Sequence, residues 1–188
     1  ATLAFAGRLT AQKSLGRALE AVAGADGVKL VIAGEGPDRE QLQGRARALG
    51  IEDRVRFLGA QPRERVVELF HAADATILSS SWENFPHTVV EALAVGTPVL
   101  AMEAGGVSEV VHDGVNGLLV AAGDTAALEE AVRRYFADDG LRERLRGAAV
   151  ASVAEYAPEV VFGQGKSPEQ IATIAERLAA QGDRVLVT

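Results

Sequence analysis

Between Ser79 and Pro98 the chain reads S-S-S-W-E-N-F-P-H-T-V-V-E-A-L-A-V-G-T-P, and it carries two carboxylates, Glu83 and Glu91. The apolar run Ala75–Leu78 ends in small polar residues. A loop then carries Glu83, and a helix-like pattern carrying Glu91 stops at Gly96. A strand that feeds a helix N-terminus through a short loop makes an anion site, because the first helical N–H groups lack partners and the dipole favours negative charge. Carboxylates beside such a site repel phosphate. Their use is to accept hydrogen bonds from the hydroxyls of a sugar or a ribose. Phosphate and hydroxyls together point to a nucleotide sugar. Two solvated glutamates are the plain alternative, and it is the placement at a strand's carboxyl end that favours the chemical reading.

Cations occur in matching places. Gly7-Arg8-Leu9 follows the first strand-like run, and Lys13 stands at the start of the next helix. In an acidic chain, two cations on a strand-end loop can clamp a diphosphate, each charge-assisted bond contributing about 1.5–3 kcal/mol. A surface Arg and Lys beside a turn is the competing reading. Gly34-Glu35-Gly36-Pro37 follows the second strand. Its glycines permit positive φ and close backbone approach to a ligand, although turns use glycine routinely. Gly105-Gly106 either brings N–H groups to an anion or turns the chain. Trp82 and Phe85 read as packing residues, and His87 as a surface or helix-start residue. Gly163-Gln164-Gly165-Lys166-Ser167 imitates a phosphate loop, but that motif needs a glycine where this chain has Val160.

Positioning these groups falls to strands that alternate with helices. Strands are expected at Leu3–Ala6, Lys29–Ala33, Val55–Leu58, Ala75–Leu78, Pro98–Met102 and Gly117–Val120. Helical patterns lie near Leu15–Ala23, Asp38–Leu49, Arg63–Ala72, Thr88–Val95, Thr125–Phe136 and Leu141–Val150. The Leu15, Ala18, Leu19, Val22 spacing marks one buried helical face. Such alternation means βαβ units and a parallel sheet covered on both faces, whose ligands sit at the carboxyl ends of the strands. The expected architecture is a doubly wound, Rossmann-like α/β domain over residues 1–150, in strand order 3-2-1-4-5-6. Residues 151–188 read as a linker through Glu155-Tyr156-Ala157-Pro158, then a β-α-β element: Val160–Phe162, helix Pro168–Gln181 and Val185–Val187. That element is expected to dock at the sheet edge or to pair with a second chain as a dimer.

Composition narrows the partners. In 188 residues, 48% are hydrophobic and 24% charged, which is globular composition. A net charge of −7 argues against nucleic acid and against a polybasic membrane anchor. There is no cysteine, the three histidines show no ligand spacing, and neither a long apolar run nor a signal peptide is visible. These features are compatible with a cytoplasmic location. The chain opens without Met on one strand-like run and stops on another, as though both ends were cut from something larger.

Taken in order, Ala6-Gly7-Arg8-Leu9 with Lys13, Val31-Ile32-Ala33-Gly34-Glu35-Gly36-Pro37, Val55-Arg56-Phe57-Leu58-Gly59, Glu83 to Glu91, Gly96-Thr97-Pro98-Val99, Gly105-Gly106-Val107-Ser108-Glu109 and Asp113-Gly114-Val115-Asn116-Gly117 form one series. It resembles the C-terminal, donor-binding domain of the metal-independent retaining glycosyltransferases of GT-B type. The resemblance implies that Arg8 and Lys13 bind the donor's diphosphate and neutralise the leaving group, a task metals perform elsewhere. It implies that Glu91 accepts hydrogen bonds from the ribose and that Glu83 contacts the donor sugar. The backbone of Asn84, Phe85 and Pro86 would lie near phosphate and sugar, and that of Gly59–Ala60 near the base. Gly7, Gly34 and Gly36 would line the donor site. No metal or cofactor is implied; the substrate would be a UDP-, GDP- or ADP-sugar, with a membrane-proximal acceptor in the parent family. Two departures stand out: Ser14 where the family has Gly after the lysine, and Asn84-Phe85-Pro86 where it often has Gly-Phe-Gly.

The tail resembles a different protein, the N-terminal piece of the nickel-pincer cofactor synthase related to aminoimidazole ribotide carboxylases. Together the two resemblances imply a chimera. They leave open a non-catalytic scaffold assembled from fragments, and a fragment of a nucleotide-sugar epimerase, which shares the architecture.

Overall fold

The computed structural model describes residues 1–154 and Tyr156. Strands β1 (Thr2–Ala6), β2 (Lys29–Ala33), β3 (Val55–Gly59), β4 (Ala75–Leu78), β5 (Val99–Met102) and β6 (Gly117–Val120) form one sheet in the order β3-β2-β1-β4-β5-β6. Every pairing is parallel. The connecting helices are α1 (Leu15–Ala23), α2 (Arg39–Ala48), α3 (Arg63–Ala72), α4 (His87–Ala94), α5 (Val107–Val110), α6 (Thr125–Ala137) and α7 (Asp139–Ser152). The β-α-β element and most of the linker expected in the tail lie outside the described residues.

Alternation along the strands splits the core in two. Leu3 and Phe5 of β1, Ile77 of β4 and Leu100 and Met102 of β5 pack on one face with α1, α2 and α6. Ala4, Ala6, Leu78, Val99 and Ala101 face the other way, against α3, α4 and α5. Successive strand side chains point to opposite faces, so runs that are apolar throughout are buried on both. Helix α7 ties the layers together: Leu141 and Leu145 join the first cluster, and Ala149, with Val153 just past the helix end, joins the second. The sheet is regular except near the strand ends of β2 and β3, where the register shifts between Ile32 and Ala33 and Ala33 pairs with Gly59. That irregularity delivers Gly59 beside the loop that leaves β2.

At the opposite end of the sheet, Tyr135 is buried and its hydroxyl donates to the carbonyl of Asp74 at 2.6 Å. Burial pushes the phenol up to about 12, the neighbouring Asp74 adding to the shift while Arg146 and Arg142 oppose it. A raised pKa on an acid means that the folded state holds the proton more tightly. The contribution is therefore complete below the unfolded value of 10.0 and is lost as pH rises through about 12. Tyr135→Phe is expected to cost about 1 kcal/mol at neutral pH for the lost hydrogen bond. It should also flatten the alkaline decline, as read by denaturant melts between pH 9 and about 12.

Candidate functional site

The loops that leave β1, β2 and β3 are joined backbone to backbone. Gly7 N–H donates to Ala33 O at 3.0 Å, Leu9 N–H to Glu35 O at 2.9 Å and Gly34 N–H to Gly59 O at 2.8 Å. A Cβ on Gly34 would lie 1.8 Å from the carbonyl oxygen of Gly7, and one on Gly36 would lie 2.2 Å from that of Leu9. These glycines are thus required first by the packing of one loop against the next. Gly34 also lines the cleft at the strand ends, and Gly36 stands one loop position beyond its lining.

Above these ends opens a cleft of about 520 Å³. Ala6, Gly7 and Arg8 line it from β1, Ala33, Gly34 and Glu35 from β2, Ala60, Gln61, Arg63 and Val66 from β3 and α3, and Thr88 and Glu91 from α4. Its size is that of a small-molecule site. It lies at the point where the chain, having built β2 and β3 on one side of β1, crosses to build β4 on the other, which is where open α/β sheets bind ligands. Arg8 is exposed and makes no ion pair among the described residues. Glu91 is largely buried, with a side chain 14% exposed, and its Oε1 sits 2.9 Å from Nε of the half-exposed Arg63. Glu35 pairs with Arg39, one helical turn on.

Lys13 and Glu83 form a second cluster beside the cleft, where Lys13 Cε lies 3.7 Å from the Cβ position of the cleft residue Gly7. Lys13 Nζ lies 2.5 Å from Glu83 Oε1, and the Ser80 hydroxyl donates to the same oxygen at 2.5 Å. Glu83 is only 6% exposed, so its charge requires both partners. The short 3₁₀ turn Ala11–Lys13 is fastened to the loop after β4 by Ser79 Oγ donating to Lys13 O, Ser81 N–H to Gln12 O and Gln12 Nε2 to Trp82 O. From the other side, Gly106 N–H donates to Glu83 O at 3.0 Å, and a Cβ on Gly105 would meet that oxygen at 1.9 Å. Glu83 is held on every side. An ammonium has three donors, and Glu83 uses one of those on Lys13.

Around this pair, Asn84 is exposed and Pro86 is buried at the start of α4, where it offers no side-chain cap to the first N–H groups. Phe85 packs edge-on against His87, ring centroids 4.9 Å apart, and tilted against Tyr156 at 5.8 Å. Trp82 departs from the packing expectation, being 57% exposed. Its loop is fastened through backbone atoms and serine hydroxyls and needs no ring beneath it. Arg63, Gln61 and Thr88 are cleft residues the sequence did not single out, and Glu35 was noted only as part of its glycine motif. The available signal for Arg63 was a cation just after Pro62, opening a helix at a strand end.

Ser14 shows what its departure from the family pattern costs. It has φ 46° and ψ 37°, and among the described residues it alone has positive φ without being glycine. Left-handed backbone costs an L-residue about 1–2 kcal/mol, partly offset on mutation to glycine by the freer unfolded chain. Ser14→Gly is expected to be neutral or up to about 1 kcal/mol more stable. Ser14→Val should melt several degrees lower, since a β-branched residue tolerates this region least. Equal melting temperatures for the two variants would contradict the left-handed assignment.

A doubly wound α/β domain with a cleft at its topological switch point has the architecture in which ligands sit at the carboxyl ends of the strands. The chain belongs to the glycosyl transferases group 1 family, whose model matches residues 1–151. A second model, the LarB/PurE-like N-terminal domain, matches residues 154–188, so the chain joins pieces of two families. It is 36% identical over 158 residues to the lipopolysaccharide core biosynthesis glycosyltransferase LpsE of Rhizobium meliloti, covering 84% of this chain and 44% of LpsE. It is 35% identical over 192 residues to the phosphatidyl-myo-inositol mannosyltransferase of Mycobacterium leprae, an alignment covering 99% of this chain and 49% of that protein. The chain thus spans about half the length of these relatives. Among solved structures it is similar to Anabaena HepE crystallised with UDP and glucose, with a TM-score of 0.79 and 26% identity over 96% of this chain and 47% of that one. The six-stranded parallel sheet with its flanking helices matches the GT-B neighbours. Among the described residues, no helix is long and apolar enough to cross a membrane.

Proposed function

We propose that this chain is the donor half of a glycosyltransferase and binds a nucleotide-diphospho-sugar at the strand-end cleft. The observation that carries the reading is the cleft itself, which places a cation without an ion pair among the described residues, Arg8, and a shielded carboxylate, Glu91, on walls of one small-molecule cavity. The solved neighbour bound to UDP and glucose supports it.

In this reading Arg8 holds diphosphate oxygens, joined by the two ammonium donors of Lys13 that Glu83 does not use. Charge develops on the leaving nucleotide diphosphate as the glycosidic bond breaks, and fixed cations stabilise it as a metal would. Glu91 accepts the ribose hydroxyls. Glu83, held by Lys13 and Ser80, presents its remaining acceptor capacity and the following backbone to the sugar. The reaction served is a retaining, metal-independent hexosyl transfer. For the 188 residues as they stand, donor binding with little or no turnover is expected.

Calorimetric titration of the full chain with UDP, GDP, ADP and their glucose or mannose conjugates tests this. At least one is expected to bind in the micromolar to millimolar range, with affinity unchanged by EDTA. Absence of binding by all of them at millimolar concentration would remove the proposal and leave the scaffold reading. A loss of binding in EDTA would overturn the metal-free part.

A further inference from the structure

The nucleoside end of the cleft contains a cation that the donor reading leaves without a task. Arg63 opens α3 directly after Pro62, whose φ of −64° sets the entry of the helix, so its Cα is fixed by secondary structure. Its guanidinium forms an ion pair with Glu91, the shortest approach being Nε to Oε1 at 2.9 Å. Among the described residues the guanidinium makes no hydrogen bond and pairs with no carboxylate other than Glu91. A guanidinium is planar and rigid, so a carboxylate that anchors the Nε edge orients the whole fork. The arrangement is a prepositioned pair of donors inside a cleft, with no hydrogen-bond acceptor for them among the described residues.

We infer that Arg63 reads the base of the nucleotide and selects for an oxo base, uracil or guanine, over adenine. The inference rests on the donor-binding reading. With diphosphate at Arg8 and ribose at Glu91, the remaining wall is the stretch from Ala60 to Arg63, with Val66 beneath it. Ala60 and Val66 give a flat base an apolar surface, and Arg63 stands at its edge. Guanidinium can only donate. Guanine offers it two adjacent acceptors, O6 and N7; uracil offers O4, whose two lone pairs can take both terminal N–H groups, while O2 lies across the N3–H donor. Adenine places the N6 amino group, a donor, where guanine has O6, so donor faces donor and one of the two bonds is lost. Because Glu91 both takes the ribose and aims the fork, the base and ribose contacts are coupled through a single ion pair.

The test is titration of the full chain with UDP, GDP and ADP, using wild type, Arg63→Met and Arg63→Lys. Arg63 is 54% exposed on the first turn of a helix, so both variants should fold, and a thermal melt confirms it. Wild type is expected to bind UDP or GDP about tenfold or more tighter than ADP. Arg63→Met should bring the three within about threefold by weakening the preferred nucleotide alone, and Arg63→Lys, which keeps the charge without the fork, should lose most of the preference. Three results overturn the inference and leave the donor reading standing. They are equal binding of all three nucleotides by wild type, a preference that survives Arg63→Met, and an equal weakening of all three, which would make Arg63 a phosphate ligand. Absence of binding by any nucleotide to wild type removes the donor reading itself, and this inference with it.

Discussion

Gly34→Ala should destabilise the domain by about 3 kcal/mol or more, lowering the melting temperature by about 6–12 °C for a chain of this size. The added Cβ would lie 1.8 Å from the carbonyl oxygen of Gly7, an atom fixed by the chain's central strand. No rotamer change can relieve a clash with backbone. The loops would have to separate, breaking the bonds from Gly7 N–H to Ala33 O and from Gly34 N–H to Gly59 O. Gly105→Ala meets the same fate at the other loop, where the Cβ would reach 1.9 Å from Glu83 O and φ is +59°. Gly147→Ala is the control. It lies exposed inside α7 with nothing near its missing Cβ, and the substitution should stabilise by about 0.8–1 kcal/mol. Melts in which Gly34→Ala matched wild type would show that the β1 and β2 loops are not in this contact.

The strands and helices were legible because their apolar residues recur at the right periods. Leu3, Ala4, Phe5 and Ala6 are all buried, two on each face, and a run of this kind flanked by helices reads as the centre of a parallel sheet. Element ends were less legible. Helix α7 begins at Asp139, ahead of the Leu141 expected from apolar spacing, because Asp138 caps it by accepting from Leu141 N–H at 2.8 Å. The shift between β2 and β3 was not legible at all. It depends on where Gly59 must stand to accept from Gly34, a requirement that arises only once both loops are folded.

The site divides in the same way. Residue types announced the cations and carboxylates, and strand-end placement announced that they would gather. Their partners were hidden, because Lys13 and Glu83 lie 70 positions apart and meet only through loops that different strands deliver. The pairing of Glu91 with Arg63 was hidden for a similar reason, since α3 and α4 become neighbours through the sheet. The glycines were visible but their cause was not. Sequence offers positive φ or ligand approach as reasons for a glycine, and Gly34 and Gly105 do have positive φ; what it could not offer is that these two, with Gly36 and Gly106, each sit against another loop's carbonyl oxygen.

Arg8, Glu91 and Glu83 should separate cleanly when binding is measured against three forms of ligand: free nucleoside, nucleoside diphosphate and sugar conjugate. Arg8→Ala is expected to weaken the diphosphate by about 1.5–3 kcal/mol, roughly 10- to 150-fold, and to leave the nucleoside unchanged. Glu91→Ala should weaken nucleoside and diphosphate alike, by about 1–3 kcal/mol, because the ribose is common to both. Glu83 needs more care, since Glu83→Ala would leave the Lys13 ammonium partly buried beside a cavity. Glu83→Gln keeps the shape and an acceptor for Ser80 while removing the charge. The sugar conjugate should then lose its advantage over the bare diphosphate. The bare diphosphate should bind as in wild type or more tightly, because Lys13 no longer shares its charge with a carboxylate 2.5 Å away. If Glu83→Gln instead weakened the bare diphosphate as much as Glu91→Ala did, the two glutamates would have been given the wrong roles. Lys13 would then owe its position at the phosphate to Glu83, as a buried ion pair that orients the cation.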